Sequence, residues 1–66
     1  MKNRIRVERA ERRMTQQQLA EAVGVSRQTI NAIEAGRFVP STVLALKIAR
    51  QFEKPVEDVF QLEEGE

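Results

Sequence analysis

The sequence predicts an all-α fold: five short helices forming a single domain over residues 1–66. Three observations predict it. Apolar residues recur three and four positions apart, as on one face of a helix: Leu19, Ala20 and Val23, then Ile30 and Ile33, then Leu44, Ile48 and Phe52. Cap-forming residues stand ahead of these runs, at Asn3, Thr15, Ser26 and Ser41. Gly24, Gly36, Pro40 and Pro55 fall between the runs, where helices stop or start.

In chain order, the first helix is expected from about residue 4 to residue 13, with Asn3 as N-cap. Its apolar side is thin: Ile5, Val7 and Ala10, with Met14 just beyond. The second opens on Thr15-Gln16-Gln17-Gln18, a capping box in which the Thr15 and Gln18 side chains each satisfy an orphan backbone donor. It ends at Gly24, because a tight C-terminal turn favours a residue that tolerates positive φ. Ser26 caps the third helix, which Ile30 and Ile33 anchor inward and Gly36 stops. Arg37-Phe38-Val39 form the loop before Pro40, and Ser41 caps the fourth helix. The last helix starts near Pro55, with Val56, Val59 and Phe60 on its buried side. For residues 61–66 two outcomes fit the pattern, a frayed end or a short terminal β-strand.

Composition narrows the function classes. The chain has no cysteine and no histidine, so it offers neither disulfides nor the usual zinc ligands. No catalytic constellation, glycine-rich phosphate loop or metal-ligand cluster is present, and neither an enzyme nor a cofactor is expected. Adjacent acids such as Glu57-Asp58 and Glu63-Glu64 read as solvated pairs. A domain of this size buries only ~60% of its unfolded surface, which makes dimerisation the remaining common route to stability. No stretch approaches the ~20 apolar residues of a membrane span, and no secretory signal follows the basic start, so a cytoplasmic location is expected. Net charge is +1, but it is unevenly placed. Residues 1–52 carry ten basic and four acidic groups, a net +6; residues 53–66 carry one basic and six acidic groups, a net −5. A basic body can face phosphate, whereas the acidic tail is repelled from it.

Residues 16–35 carry the functional signal. Two capped helices meet at a glycine turn, Ala20 is small where they would cross, Val25 plugs the turn, and Ile30 and Ile33 hold the second helix against the first. That is the specification of a helix-turn-helix. Arg27, Gln28, Thr29 and Asn31 cluster on the outward face near the start of its second helix. Arginine pairs with guanine, glutamine with adenine, and a threonine methyl meets a thymine methyl in the major groove. A solvated helix face would explain the polarity of these four residues alone, but not the surrounding alanine, glycine and isoleucine spacing.

The run Gln16-Gln17-Gln18-Leu19-Ala20, then Gly24-Val25-Ser26-Arg27-Gln28-Thr29-Ile30, then Ile33-Glu34 and Gly36, resembles the phage-repressor/Cro family of helix-turn-helix regulators, also called the xenobiotic-response-element family. The likeness extends through Pro40-Ser41 and the segment from Pro55 to Phe60, and is nearest to short regulators of the cytolysin-repressor type, which are homodimers. The resemblance implies base reading by Arg27, Gln28 and Thr29, with Asn31 near bases or phosphate. It implies phosphate contacts at Gln16 and Arg37, with Phe38 along the sugar-phosphate chain. It also implies a structural ion pair between Arg9 and Glu34. Two positions depart from the pattern. Arg13 stands where relatives often have glycine, and either reshapes the turn or adds a phosphate contact. Glu8 stands where the shortest members often have leucine, which thins the first helix's apolar face.

The expected function is therefore a regulator, a repressor more than an activator, that binds a pseudo-palindromic double-stranded DNA operator as a homodimer. No small-molecule effector is expected. The C-terminal residues 55–66 are the candidate dimerisation segment, with Phe60 and Leu62 supplying apolar contact and any terminal strand lying at that interface. The competing placement makes Phe60 ordinary core and Leu62 a frayed end. The alternative function is an antitoxin-type or other protein-interaction module on the same fold.

Overall fold

A computed structural model describes all 66 residues. The element order is β1 (Lys2–Asn3), α1 (Ile5–Glu11), α2 (Gln16–Val23), α3 (Arg27–Glu34), α4 (Thr42–Gln51), α5 (Val56–Val59) and β2 (Phe60–Gln61). The five expected helices are present, joined by one two-stranded antiparallel sheet.

The local signals act as chemistry requires. The Thr15 hydroxyl accepts from the Gln18 N–H at 3.0 Å, and the Gln18 side chain accepts from the Thr15 N–H at 2.9 Å. Ser26 and Ser41 cap α3 and α4 through the N–H groups of Thr29 and Leu44. Gly24 closes α2 at φ +79°, a left-handed conformation that costs glycine nothing.

The first helix differs from expectation at both ends and on its faces. Its N-cap is Arg4, because Asn3 lies in β1. Asn3 still serves the helix start: its side-chain oxygen accepts from the Ile5 N–H at 3.2 Å, while its amide nitrogen donates to the Ile33 carbonyl at 2.9 Å. The helix ends at Glu11 rather than near residue 13. Val7 and Ala10 are exposed, and Glu8 is fully buried instead. The reason is periodic. Val7 lies about 200° around the helix from Ile5, so burying Ile5 carries Glu8 inward and turns Val7 out.

The core gathers Ile5 of α1, Leu19, Ala20 and Val23 of α2, Ile30 and Ile33 of α3, Ile48 and Phe52 from α4 and its C-cap, and Val59 and Phe60 at the end. Leu44, expected in the same stripe as Ile48, is only half-buried. Within that core, Glu8 accepts from Arg12 at 2.7 Å and from Lys54 at 3.0 Å. Arg12 in turn donates to the Phe52 carbonyl at 2.7 Å and lies 5.1 Å from the centre of the Phe52 ring. A cluster of charge thus fastens α1 to the turn between α4 and α5.

The terminal strand pairs inside the chain, Lys2 with Gln61 and Asn3 with Phe60. Its partner is therefore β1 and not a second subunit. Beyond it the chain folds back, with the Met1 ammonium 3.1 Å from Glu66 and 3.5 Å from Glu63.

Candidate nucleic-acid interface

The candidate interface is built on α2 and α3, which meet through the Gly24 turn and pack side by side, with Ala20 and Ile30 both wholly buried in the shared core. Burial of Ile30 and Ile33 fixes the rotation of α3. Its remaining face presents Arg27, Gln28 and Asn31 to solvent. Thr29 is half-buried, and its hydroxyl lies 3.0 Å from that of Ser26, within the cap.

Around this face stand the other candidates. Gln16 opens α2, where unpaired N–H groups and the positive end of the helix dipole favour an anion. Arg37 and Phe38 lie exposed in the loop after α3, Phe38 with 49% of its surface open. Arg13 lies exposed between α1 and α2 at φ +52°. The turn at this position keeps a left-handed conformation that glycine would adopt without strain, and arginine holds it.

Arg9 and Glu34 sit behind the face and pair as a fork. Arg9 Nε donates to Glu34 Oε1 at 2.7 Å and Nη2 to Oε2 at 3.2 Å, while Nη1 donates to the Met14 carbonyl at 2.8 Å. The Glu34 side chain is almost completely buried. Its carboxylate also accepts from Gln16, whose oxygen faces the Asn31 amide. The structure thereby brings Gln16, Asn31 and Arg37 into one hydrogen-bonded group with the Arg9–Glu34 pair. It leaves Arg27, Gln28 and Phe38 unengaged at the surface and joins none of them to Arg13.

Two features escape sequence reasoning. One is the pair of cations, Arg12 and Lys54, that closes on the buried Glu8 carboxylate. Burial opposes its charge, yet the Lys54 ammonium above all, and then Arg12, hold the Glu8 carboxyl below the usual carboxylate range. The i, i+4 spacing of Glu8 and Arg12 was a visible signal, but it resembles an ordinary surface pair. The other is an apolar groove of about 310 Å³ lined by Met1, Val39, Pro40, Ala45, Leu46, Val56 and Phe60. Beside it Val43 is also exposed. The signal was present in α4, whose apolar residues extend around more than one face.

Of the two residues expected at a dimer contact, Phe60 is core, 7% exposed, and closes one side of this groove. Leu62 is 71% exposed.

A helix-turn-helix family profile matches residues 5–59, which takes in α1 through α5. The chain belongs to the helix-turn-helix family. This helix-turn-helix protein is 53% identical over 64 residues to an uncharacterized HTH-type transcriptional regulator, YgzD, of Bacillus subtilis, with 97% of each chain covered. It is 50% identical over 66 residues to another such regulator from Methanocaldococcus jannaschii, with both chains fully covered. Among solved structures it is similar to the clp gene regulator ClgR from Corynebacterium glutamicum, with a TM-score of 0.77 and 31% identity. That likeness covers 82% of this chain and 57% of ClgR, so the helix-turn-helix protein spans a little over half of that regulator's chain.

Proposed function

We propose that this helix-turn-helix protein is a sequence-specific transcriptional repressor that occupies a pseudo-palindromic DNA operator as a homodimer. The observation that carries the reading is α3: a helix pinned on one side by Ile30 and Ile33 and presenting Arg27, Gln28 and Asn31 on the other. In a helix-turn-helix the N-terminal end of that helix enters the major groove. Arg27, Gln28 and Thr29 read base edges, with Asn31 at their margin. Gln16, Arg13, Arg37 and Phe38 flank them against the sugar-phosphate chains. The family relatives' designation as transcriptional regulators supports the same reading.

The second copy docks on the apolar groove beside α4. Phe60 forms part of its wall, and Val43, Leu46 and Leu62 supply exposed apolar surface. Two recognition helices related by a two-fold axis then meet half-sites roughly 34–36 Å apart. Bound there, the dimer excludes polymerase by occupancy alone, and its place of action is the cytoplasm, with the DNA. No helix of the chain is long and apolar enough to cross a membrane.

Selection of bound duplexes from a random library, at stated salt, tests the proposal. Enrichment of an inverted repeat with half-sites one turn apart is the expected result. Recovery of no preferred sequence would overturn it and bring forward an antitoxin-type, protein-binding role.

A further inference from the structure

A line of hydrogen bonds crosses the candidate interface, and every bond in it runs the same way. Arg37 Nη2 donates to Asn31 Oδ1 at 3.2 Å, Asn31 Nδ2 lies 3.5 Å from Gln16 Oε1, and Gln16 Nε2 donates to Glu34 Oε2. The ends have fixed polarity. A guanidinium only donates and an ionised carboxylate only accepts. The two amides between them have nearly the same shape either way up, so shape does not orient them. The ends do. Turning Gln16 over sets oxygen against the Glu34 carboxylate and nitrogen against the Asn31 nitrogen. Turning Asn31 over sets nitrogen against Arg37 and oxygen against Gln16.

Glu34 is the fixed point of this line. Its side chain is 2% exposed and held by the Arg9 fork, so it cannot swing away. We propose that Glu34 is a positioning residue for the DNA-reading face: its buried carboxylate fixes which edge of the Gln16 amide, and through it which edge of the Asn31 amide, is offered to the duplex. The inference rests on the DNA-reading role proposed above. Its consequence is chemical. An asparagine pairs with adenine by donating to N7 and accepting from the N6 amino group, and an inverted amide exchanges those two edges. Sequence preference at the Asn31 position thus depends on a carboxylate that does not touch the DNA.

The test is Glu34→Met in an Arg37→Ala background: methionine keeps the length but leaves Gln16 no carboxylate to donate to, and Arg37→Ala removes the guanidinium that holds Asn31 from the other end. The side-chain amide proton–nitrogen NMR signals of Gln16 and Asn31 are recorded in the free protein, and duplex selection is repeated. Relative to Arg37→Ala alone, the expected result is loss of the ordered signals of both amides and relaxation of preference at one base pair per half-site by about tenfold or more. Arg9→Lys loses part of the fork but keeps the carboxylate, and is expected to lower stability while both amide signals and the base preference persist. Gln16→Ala, at a half-buried position, breaks the line without threatening the fold. In the same Arg37→Ala background Asn31 should then lose its ordered signal while a cooperative thermal transition persists. Ordered amides in Glu34→Met or an ordered Asn31 in Gln16→Ala, each with Arg37→Ala, or unaltered preference once the amides are lost would each overturn the proposal. Should the wild-type protein select no sequence, the DNA-reading role fails, and the positioning role fails with it, even if the amide signals confirm the line itself.

Discussion

Glu8 and Lys54, 46 positions apart, meet at 3.0 Å with the carboxylate wholly buried and the lysine partly open to solvent. The contact joins α1 to the turn that begins α5, and Arg12 completes it from the opposite oxygen. A carboxylate in a core is tolerable only when its lone pairs are filled, and every buried side-chain polar atom here has a partner.

Removing that carboxylate takes the hydrogen-bond acceptor from Arg12 and Lys54 and the looser ion pair, at 3.8 Å, from Arg4. Glu8→Ala should cost about 3 kcal/mol by denaturant titration, near the lower end for breaking a buried pair because Arg12 and Lys54 reach solvent. Glu8→Leu should cost less, since leucine refills the volume and both cations can turn outward to water. A Leu variant less stable than the Ala variant would refute this account of the site.

The same group sets an acid limit. Lys54 foremost, then Arg12, lower its folded-state value below 4.5. A depressed carboxyl contributes stability that is complete above its unfolded value and disappears as pH falls through the folded one. Wild-type stability should therefore decline on acidification below about pH 4.5, and the Glu8→Leu variant should decline less over that window. Parallel pH profiles would contradict it.

Arg13 holds a left-handed backbone at φ +52°. Arg13→Gly relieves a strain of about 1–2 kcal/mol, offset by the ~0.5–1 kcal/mol entropic cost of glycine, so stability should rise by at most about 1.5 kcal/mol. If Arg13 also contacts phosphate, the same variant should bind DNA more weakly on all sequences, with a salt slope shallower by about one. Arg27→Ala should behave differently, costing about 1–3 kcal/mol on the preferred operator and relaxing one base pair. Competition titrations at several salt concentrations separate the two.

Leu46 lines the apolar groove and is 52% exposed. Leu46→Glu places charge on the proposed subunit contact without touching the core. Sedimentation should give a dimer for the wild type and a monomer of unchanged helicity for the variant, and an equal mass for both would move the contact elsewhere.

How legible all this was in the sequence depended on the range of each interaction. The Thr15–Gln18 box, the Ser26 and Ser41 caps and the Gly24 turn act over three or four residues, so the sequence displays both partners together. The packing of Ile30 and Ile33 follows from spacing alone. The role of Glu8 was hidden because its decisive partner, Lys54, arrives from the far end of the chain. Asn3 was misassigned by one position for the same reason: pairing with Phe60 draws it into a strand, and its side chain then reaches both Ile5 and Ile33. Arg37, Asn31, Gln16 and Glu34 were each visible as polar residues. Their common direction of donation appears only once α2 and α3 are side by side.

The pairing of β1 with β2 also governs when the molecule can finish folding. The helices form from near neighbours and can appear early, whereas Asn3 must wait for Phe60. Synthesis proceeds from the N-terminus, so the first strand stays without its partner until residues 60 and 61 have left the ribosome. A stalled or truncated chain that stops short of them would carry its recognition helix and yet lack the strand that joins its two ends.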